Sequence, residues 1–299
     1  MHPVRPRRSV LYMPASNARA LEKARGLDAD ALILDLEDAV APAAKEEARA
    51  LALAALRAGG YGRRELALRV NGAGTPWGAA DLAAAARSGA HAVVLPKVES
   101  AEAVRAAEAE LRGHGAPGEL ALWAMVETPR GVLRVAEIAG ATPRLACLVM
   151  GTSDLVKDLR ARHTPGRLEV LTSLSLAVLA ARAHGLAALD GVHLDLADEG
   201  GFEAACRQGL DLGFDGKTLI HPKTIAVANR VFTPGAEELA RARRAIEAHE
   251  AAAAAGKGVA VLDGRLVESL HVEDARRLLA LAAAIGEGAG AVAGRTGPG

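Results

Sequence analysis

Two carboxylates placed just past apolar runs are the residues in this chain whose types and spacing most directly suggest chemistry. The run ALWAMVETPRG delivers Glu127 ahead of a Thr-Pro turn, and RLACLVMGTSD delivers Asp154 after a Gly-Thr-Ser turn. Taken singly, Glu127 reads as a cap for the helix that follows, and Asp154 as a turn residue. Taken together, on adjacent strands of a regular chain, they read as a pair of hard oxygen donors of the kind that holds Mg²⁺ beside a substrate.

Other strand ends are polar too. Asp35-Leu36-Glu37-Asp38 is an acidic cluster, and three acids so close need cationic partners or a metal. Asp38 also fits the N-cap of a helix from Ala39. Glu37 and Asp38 are expected to support the chemistry by holding metal-bound waters or orienting a neighbouring arginine. Arg69 ends another run, Arg69-Val70-Asn71. Its planar fork matches a carboxylate bidentately, so both a salt bridge to the acidic cluster and a clamp on a substrate carboxylate stay open. Lys97 has the position of a Schiff-base former, but an ion pair with Glu99 or a mouth carboxylate is the expected role. His221, before Pro222, is expected to be structural or a hydrogen bonder, because Mg²⁺ prefers oxygen.

The elements that must position these groups are short apolar runs alternating with Ala-, Glu- and Arg-rich helical stretches. Eight such runs can be counted: 9–14, 31–37, 66–71, 92–97, 121–127, 145–151, 187–195 and 216–222. Helical periodicity marks segments such as Ala101–Leu111 and Leu168–Ala183. Eight strand–helix alternations argue for a (β/α)8 TIM barrel, whose chemistry gathers at the carboxyl ends of the strands. A dinucleotide-binding fold would want a G-x-G-x-x-G turn after the first strand, and Pro14-Ala15-Ser16-Asn17 is not one. The expected organisation is a catalytic barrel over 1–235, a C-terminal helix–hairpin–helix extension over 236–285, and a flexible tail over 286–299. The hairpin signal is Asp263-Gly264, lying between helices expected at Ala236–Ala255 and Val272–Ile285.

Composition narrows the class. The 299 residues are 51% hydrophobic and only 2% aromatic, so small aliphatic side chains must fill the core. Lys+Arg and Asp+Glu balance at 36 each, which gives no footprint for nucleic acid. Two cysteines, Cys147 in an apolar run and Cys206 on a helix, make no disulfide framework. No signal peptide or membrane span is evident, so a soluble cytoplasmic protein is expected.

Together the stretches RSVLYMPASN, LDLEDAV followed by Lys45, LRVN, LPKVES, ETPRGV, GTSDL and GFDGKTLIHP, in this order, resemble the citrate lyase β-subunit-like family. That family lies within the wider malyl-CoA lyase and HpcH/HpaI aldolase group. The likeness covers roughly Arg8 to Ala284. It implies a TIM barrel that is usually oligomeric, a trimer or hexamer, with Mg²⁺ on Glu127 and Asp154 and the oxo-acid carboxylate on Arg69. It implies that Tyr12 and Arg19 contact the CoA thioester, with Lys45 as a further contact for CoA phosphates. It also implies an acid/base carboxylate in the C-terminal hairpin, delivered to a neighbouring subunit. Here the sequence departs from the pattern, with Glu268 where several of these lyases place aspartate.

The expected function is therefore that of an Mg²⁺-dependent carbon–carbon lyase. It would cleave or form a 3-hydroxy-3-carboxyacyl thioester such as malyl-CoA or citramalyl-CoA, giving acetyl-CoA and an α-oxo acid. Arg69 would orient the substrate, and Glu268 or a mouth carboxylate such as Glu37 or Asp38 would move the proton. The alternatives are the β subunit of a citrate lyase complex, which works on a citryl acyl-carrier-protein thioester with other subunits, a free oxo-acid aldolase, and a non-catalytic acyl-CoA or oxo-acid binding protein. Its expected partners are small acyl-CoA and oxo-acid molecules, with no nucleic acid and no membrane.

Overall fold

The computed structural model describes residues 5–293, with side chains as far as residue 286. It divides into two compact units, one of Arg7–Phe232 and one built from Thr233 onward with the few residues before Arg7.

The larger unit is a closed barrel of eight parallel strands in sequence order, β1 to β8. They are β1 Ser9–Pro14, β2 Ala31–Asp35, β3 Glu65–Arg69, β4 Ala92–Leu95, β5 Ala121–Val126, β6 Leu145–Met150, β7 Ala187–Asp190 and β8 Gly216–Leu219. The expected TIM barrel is what forms. Several strands stop earlier than the apolar runs suggest. In β2 the cause is local: the Asp35 carboxylate accepts from the backbone N–H of Glu37 at 2.9 Å and of Ala39 at 3.2 Å, which turns the chain out of the sheet.

Both faces of such a barrel are covered, so its strands are apolar throughout, and side-chain parity decides where each residue goes. Val10, Ile33, Ala67, Val94, Trp123, Met125, Cys147, Val149 and Leu189 fill the barrel interior. Their neighbours Leu11, Leu32, Leu68, Val93, Leu122, Leu148 and Ala188 face the helices instead. Removing each large aliphatic chain from water is worth roughly 1.5–3 kcal/mol. Continuing the inward parity past the strand ends brings Asp35, Arg69, Glu127 and Gly151 to the mouth. The β2–β3 register pairs Asp35 directly with Arg69.

Parity sends other charges outward. Asp190, at the end of β7, is fully buried among the helices with Lys217 of β8. Lys217 Nζ donates to Asp190 Oδ2 at 2.7 Å, and Arg167 Nη1 reaches Oδ1 and Oδ2 at 2.8 and 2.7 Å. Burial lowers the Lys217 pKa, and the Asp190 charge opposes that.

The smaller unit holds helix Ala236–Ala254, a two-stranded antiparallel hairpin, β9 Ala260–Leu262 and β10 Arg265–Val267, and helix Ser269–Ala293. Asp263 and Gly264 both take positive φ, 50° and 75°, as a two-residue type I′ turn requires. Ala245, Ala260, Val267 and Val272 form its small core. The last helix runs to Ala293, past Gly286 where the tail was expected to begin; alanines set between the glycines keep helix propensity there. Residues 294–299 of that expectation lie outside the described residues. Among the described residues, no helix is long and apolar enough to cross a membrane.

Candidate active site

The mouth of the barrel encloses a cavity of about 330 Å³ whose lining includes Tyr12, Asp35, Arg69, Glu127, Gly151 and Asp154. Glu127 follows the end of β5 and is buried. It does not cap the next helix: Thr128 does, its hydroxyl accepting from the Gly131 N–H at 3.0 Å. That leaves the Glu127 carboxylate for the mouth, where Oε1 accepts from the backbone N–H of Lys97 at 2.7 Å. Asp154 sits in the first turn of helix Thr152–Asp158, after its N-cap Gly151, and is part-exposed. Gly151 is needed as glycine, because a Cβ there would overlap the Glu127 carboxylate.

Arg69 is buried and densely held. Its Nε and Nη2 donate to the two oxygens of Asp35, both at 2.6 Å. Nη1 lies 2.9 Å from Glu37 Oε2 and 3.4 Å from Asp38 Oδ2. Its guanidinium carbon stacks 4.8 Å from the centre of the Tyr12 ring, a favourable cation–π geometry. Of the two roles left open for Arg69, the salt bridge to the acidic cluster is present. The bidentate fork is spent on Asp35, so any substrate carboxylate meets the remaining guanidinium edge.

Lys97 completes the cluster from the end of β4. Its ammonium lies 2.7 Å from Glu37 Oε1, 3.4 Å from Asp154 Oδ2 and 3.8 Å from Asp38 Oδ1. The mouth carboxylates, not Glu99, are its partners; Glu99 pairs with Arg130 at 3.6 Å. Burial works against the charge on Lys97, but the hydrogen bond to Glu37 holds its pKa above the usual lysine value. Burial also raises the Glu37 carboxyl, although Arg69 and Lys97 pull it back. Glu127 is pushed up to about 7, first by burial and then by the Glu37 charge. Five acids, Asp35, Glu37, Asp38, Glu127 and Asp154, thus face two cations, Arg69 and Lys97. Such a surplus of carboxylate oxygen suits a hard divalent cation. Among the described residues no group of three or more His, Cys, Asp or Glu side chains is arranged to hold a metal. A two-carboxylate edge such as Glu127 and Asp154 fits Mg²⁺, an ion that keeps waters and takes substrate oxygens as its other ligands.

The other expected site residues separate. Tyr12 is at the mouth, its hydroxyl 3.7 Å from Met125 Sδ. Arg19 is exposed on helix Ala18–Ala24. Lys45 corrects the expectation of a phosphate contact: it is 6% exposed. As the first residue of helix Lys45–Ala58, it points back toward the preceding chain. Its ammonium donates to the carbonyls of Leu36 and Glu37 at 2.8 and 2.7 Å, so it braces the acidic loop. His221, exposed after β8, caps the short turn that follows, its Nδ1 accepting from the Lys223 N–H at 3.2 Å. Glu268 belongs to the C-terminal unit, between β10 and the helix that follows, where its backbone N–H meets His271 Nδ1 at 3.0 Å. Asp35, the fork partner of Arg69, is in the sequence only one acid of three, although the inward period of two from Ile33 marks it.

Comparison with known proteins agrees with this architecture. Residues 8–222 match the family model described as HpcH/HpaI aldolase/citrate lyase. A (3S)-malyl-CoA thioesterase of Cereibacter sphaeroides is 52% identical over 95% of this chain and 97% of that protein. The citrate lyase subunit beta of Escherichia coli is 39% identical over 93% and 94%. Among solved structures, protein CitE of Mycobacterium tuberculosis in complex with magnesium, acetoacetate and coenzyme A superposes with a TM-score of 0.73. It is 33% identical and covers 92% of this chain and 97% of its own.

Proposed function

Because the chain belongs to the HpcH/HpaI aldolase/citrate lyase family, we propose that its barrel mouth is an Mg²⁺-dependent active site for a malyl-CoA-type thioester. The observation that carries this is the convergence of Glu127, Asp154 and Arg69 on one cavity. Relatives solved with magnesium support the ion, and the surplus of mouth carboxylates supports its seat on Glu127 and Asp154. When bound, Mg²⁺ supplies a Lewis acid for the substrate's hydroxyl and carboxylate oxygens.

The chain's own residues do the rest. Arg69 puts positive charge beside the substrate carboxylate and fixes its orientation. Lys97, through its backbone N–H, holds Glu127 in place. Tyr12 forms part of the wall. Arg19, exposed on the helix that follows β1, fits a contact with the CoA moiety. Glu37, whose carboxyl is raised by burial and which faces Arg69 and Lys97, is the mouth carboxylate placed to move a proton. Glu268 of the C-terminal unit is the further acid/base implied by the family pattern.

Two bonds of malyl-CoA are open to this site. Breaking the thioester adds water at the carbonyl and releases malate and CoA, the outcome favoured by the 52% identity to (3S)-malyl-CoA thioesterases. Breaking the carbon–carbon bond takes the hydroxyl proton and releases glyoxylate and the enolate of acetyl-CoA, which is then protonated. The 39% identity to citrate lyase subunit beta favours this second reading. Exposed Val261, Leu266 and Leu270 in the C-terminal unit support self-association, as unpartnered apolar groups do.

The test is a product assay on malyl-CoA with Mg²⁺, separating free CoA plus malate from acetyl-CoA plus glyoxylate. Either pair, lost with EDTA and lowered at least ~10³-fold by Glu127→Ala, supports the site. Free CoA names hydrolysis and acetyl-CoA names the lyase. Turnover unaffected by both treatments would sink the metal reading.

A further inference from the structure

Lys97 has a backbone that few lysines adopt. Its φ is 48°, in the left-handed region, a conformation that a residue with a Cβ takes only where its surroundings enforce it. Three contacts do so. The Lys97 N–H is tied to Glu127 Oε1 at 2.7 Å. The Val98 N–H is tied to the Met125 carbonyl at 3.1 Å. The Val98 carbonyl lies where a side chain on Gly131 would collide with it. The turn at the end of β4 is thus clamped against β5, and the clamp sends both ends of one residue to the same place. Its main chain meets Glu127 and its ammonium meets Asp154.

The ammonium is not held equally by its partners. It is 2.7 Å from Glu37 but 3.4 Å from Asp154 and 3.8 Å from Asp38. Its side chain is 45% exposed, so it has room to move. Among the described residues, Lys97 is the sole cation ion-paired with Asp154. The arm is therefore anchored on Glu37 and leans on Asp154.

Resting on the reading of Glu127 and Asp154 as metal ligands, we propose that Lys97 is an internal counter-cation that competes with the divalent ion for Asp154. Without the ion, its ammonium neutralises the carboxylates that would otherwise repel one another across the cavity. When the ion arrives, Lys97 gives up Asp154, keeps Glu37, and continues to hold Glu127 by its N–H. Lys97 is a positioning residue here, and its charge sets how much Mg²⁺ the mouth requires. A lysine suits this better than an arginine fork, because a compact point charge on a flexible stem can leave one partner without losing another.

The experiment is calorimetric titration of Mg²⁺ into wild type, Lys97→Met, Lys97→Arg and Glu127→Ala without substrate. Removing a positive charge a few ångströms from the ion is expected to tighten binding about tenfold or more in Lys97→Met. Lys97→Arg, which keeps the charge, is expected to stay within about threefold of wild type. A merely structural role predicts the opposite sign, since a damaged site binds metal more weakly. Wild type that binds while Lys97→Met binds equally or more weakly overturns the proposal and leaves the metal reading standing. Lack of Mg²⁺ binding by both overturns the metal reading, and the proposal with it. Should Lys97→Met fail to fold, Lys97→Gln removes the same charge with a side chain that can still hydrogen-bond, and the same outcomes apply.

Discussion

Two clusters of charge sit at strand ends of this barrel, and they are built to opposite rules. At the mouth, five acids face two cations around a cavity open to solvent. Behind β7 and β8, one aspartate faces two cations, and Asp190 and Lys217 are both fully buried. The second cluster is closed: each oxygen of Asp190 accepts from a cation, and the Gly191 N–H and Thr218 hydroxyl complete the surroundings. The first cluster carries spare carboxylate charge. What separates them is the direction of the side chain, inward for Asp35, Glu37 and Glu127, outward for Asp190 and Lys217. In a parallel barrel, strand parity decides which charges do chemistry and which hold the helices to the sheet.

The largest effect expected from breaking this comparison is on the closed cluster. Asp190→Ala strands a fully buried lysine and a part-buried arginine, a loss of about 3–5 kcal/mol, read as a fall in melting temperature of roughly 10 °C. A fall no greater than that of Asp38→Asn at the mouth would erase the distinction.

The next concerns Glu127 in metal-free protein. Its carboxyl is held near 7 when folded, against about 4.3 in an unfolded chain. Between those values the folded state keeps a proton that the unfolded state has released. Glu127 therefore favours folding below about pH 4 and loses that contribution as pH rises to about 7, in total roughly 3–4 kcal/mol. Melting curves of wild type and Glu127→Gln at pH 5.5 and 8 check the sign. Wild type should lose more than the variant on going to pH 8, and Mg²⁺ should restore wild type alone. A parallel pH dependence in both proteins would mean that Glu127 is not the strained group.

The smallest effect is at the rim. Asp38 is mostly exposed, so Asp38→Asn should cost under about 1 kcal/mol, measured by the same melting curves. A larger loss would show the rim to be as tightly built as the buried cluster.

Much of this was legible in the sequence. The eight apolar runs gave the barrel, and the ordered motifs from RSVLYMP to GKTLIHP gave the family. Glu127, Asp154 and Arg69 stood out because each is polar at the end of an apolar run. What was not legible depended on registers and on helix directions. Nothing beside Lys217 in the sequence marks a partner, and its meeting with Asp190 needs the β7–β8 pairing. Arg167 enters that cluster from a loop, through a contact that sequence spacing does not show. Lys45 carried the charge expected of a phosphate contact, but its place in the first turn of a helix turns the ammonium inward to two carbonyls. Strands end earlier than their apolar runs where side chains such as Asp35 capture the next N–H groups.

Gly151 has a consequence for inheritance. Position 151 is vacant of side-chain atoms because Glu127 fills that space, so the two codons form one unit under selection. A lineage that drifted to alanine at 151 would keep its barrel and displace its carboxylate in a single step. On the proposed role of Glu127 as a metal ligand, shortening residue 127 to relieve the crowding would remove the ligand itself, so the way back runs through glycine at 151.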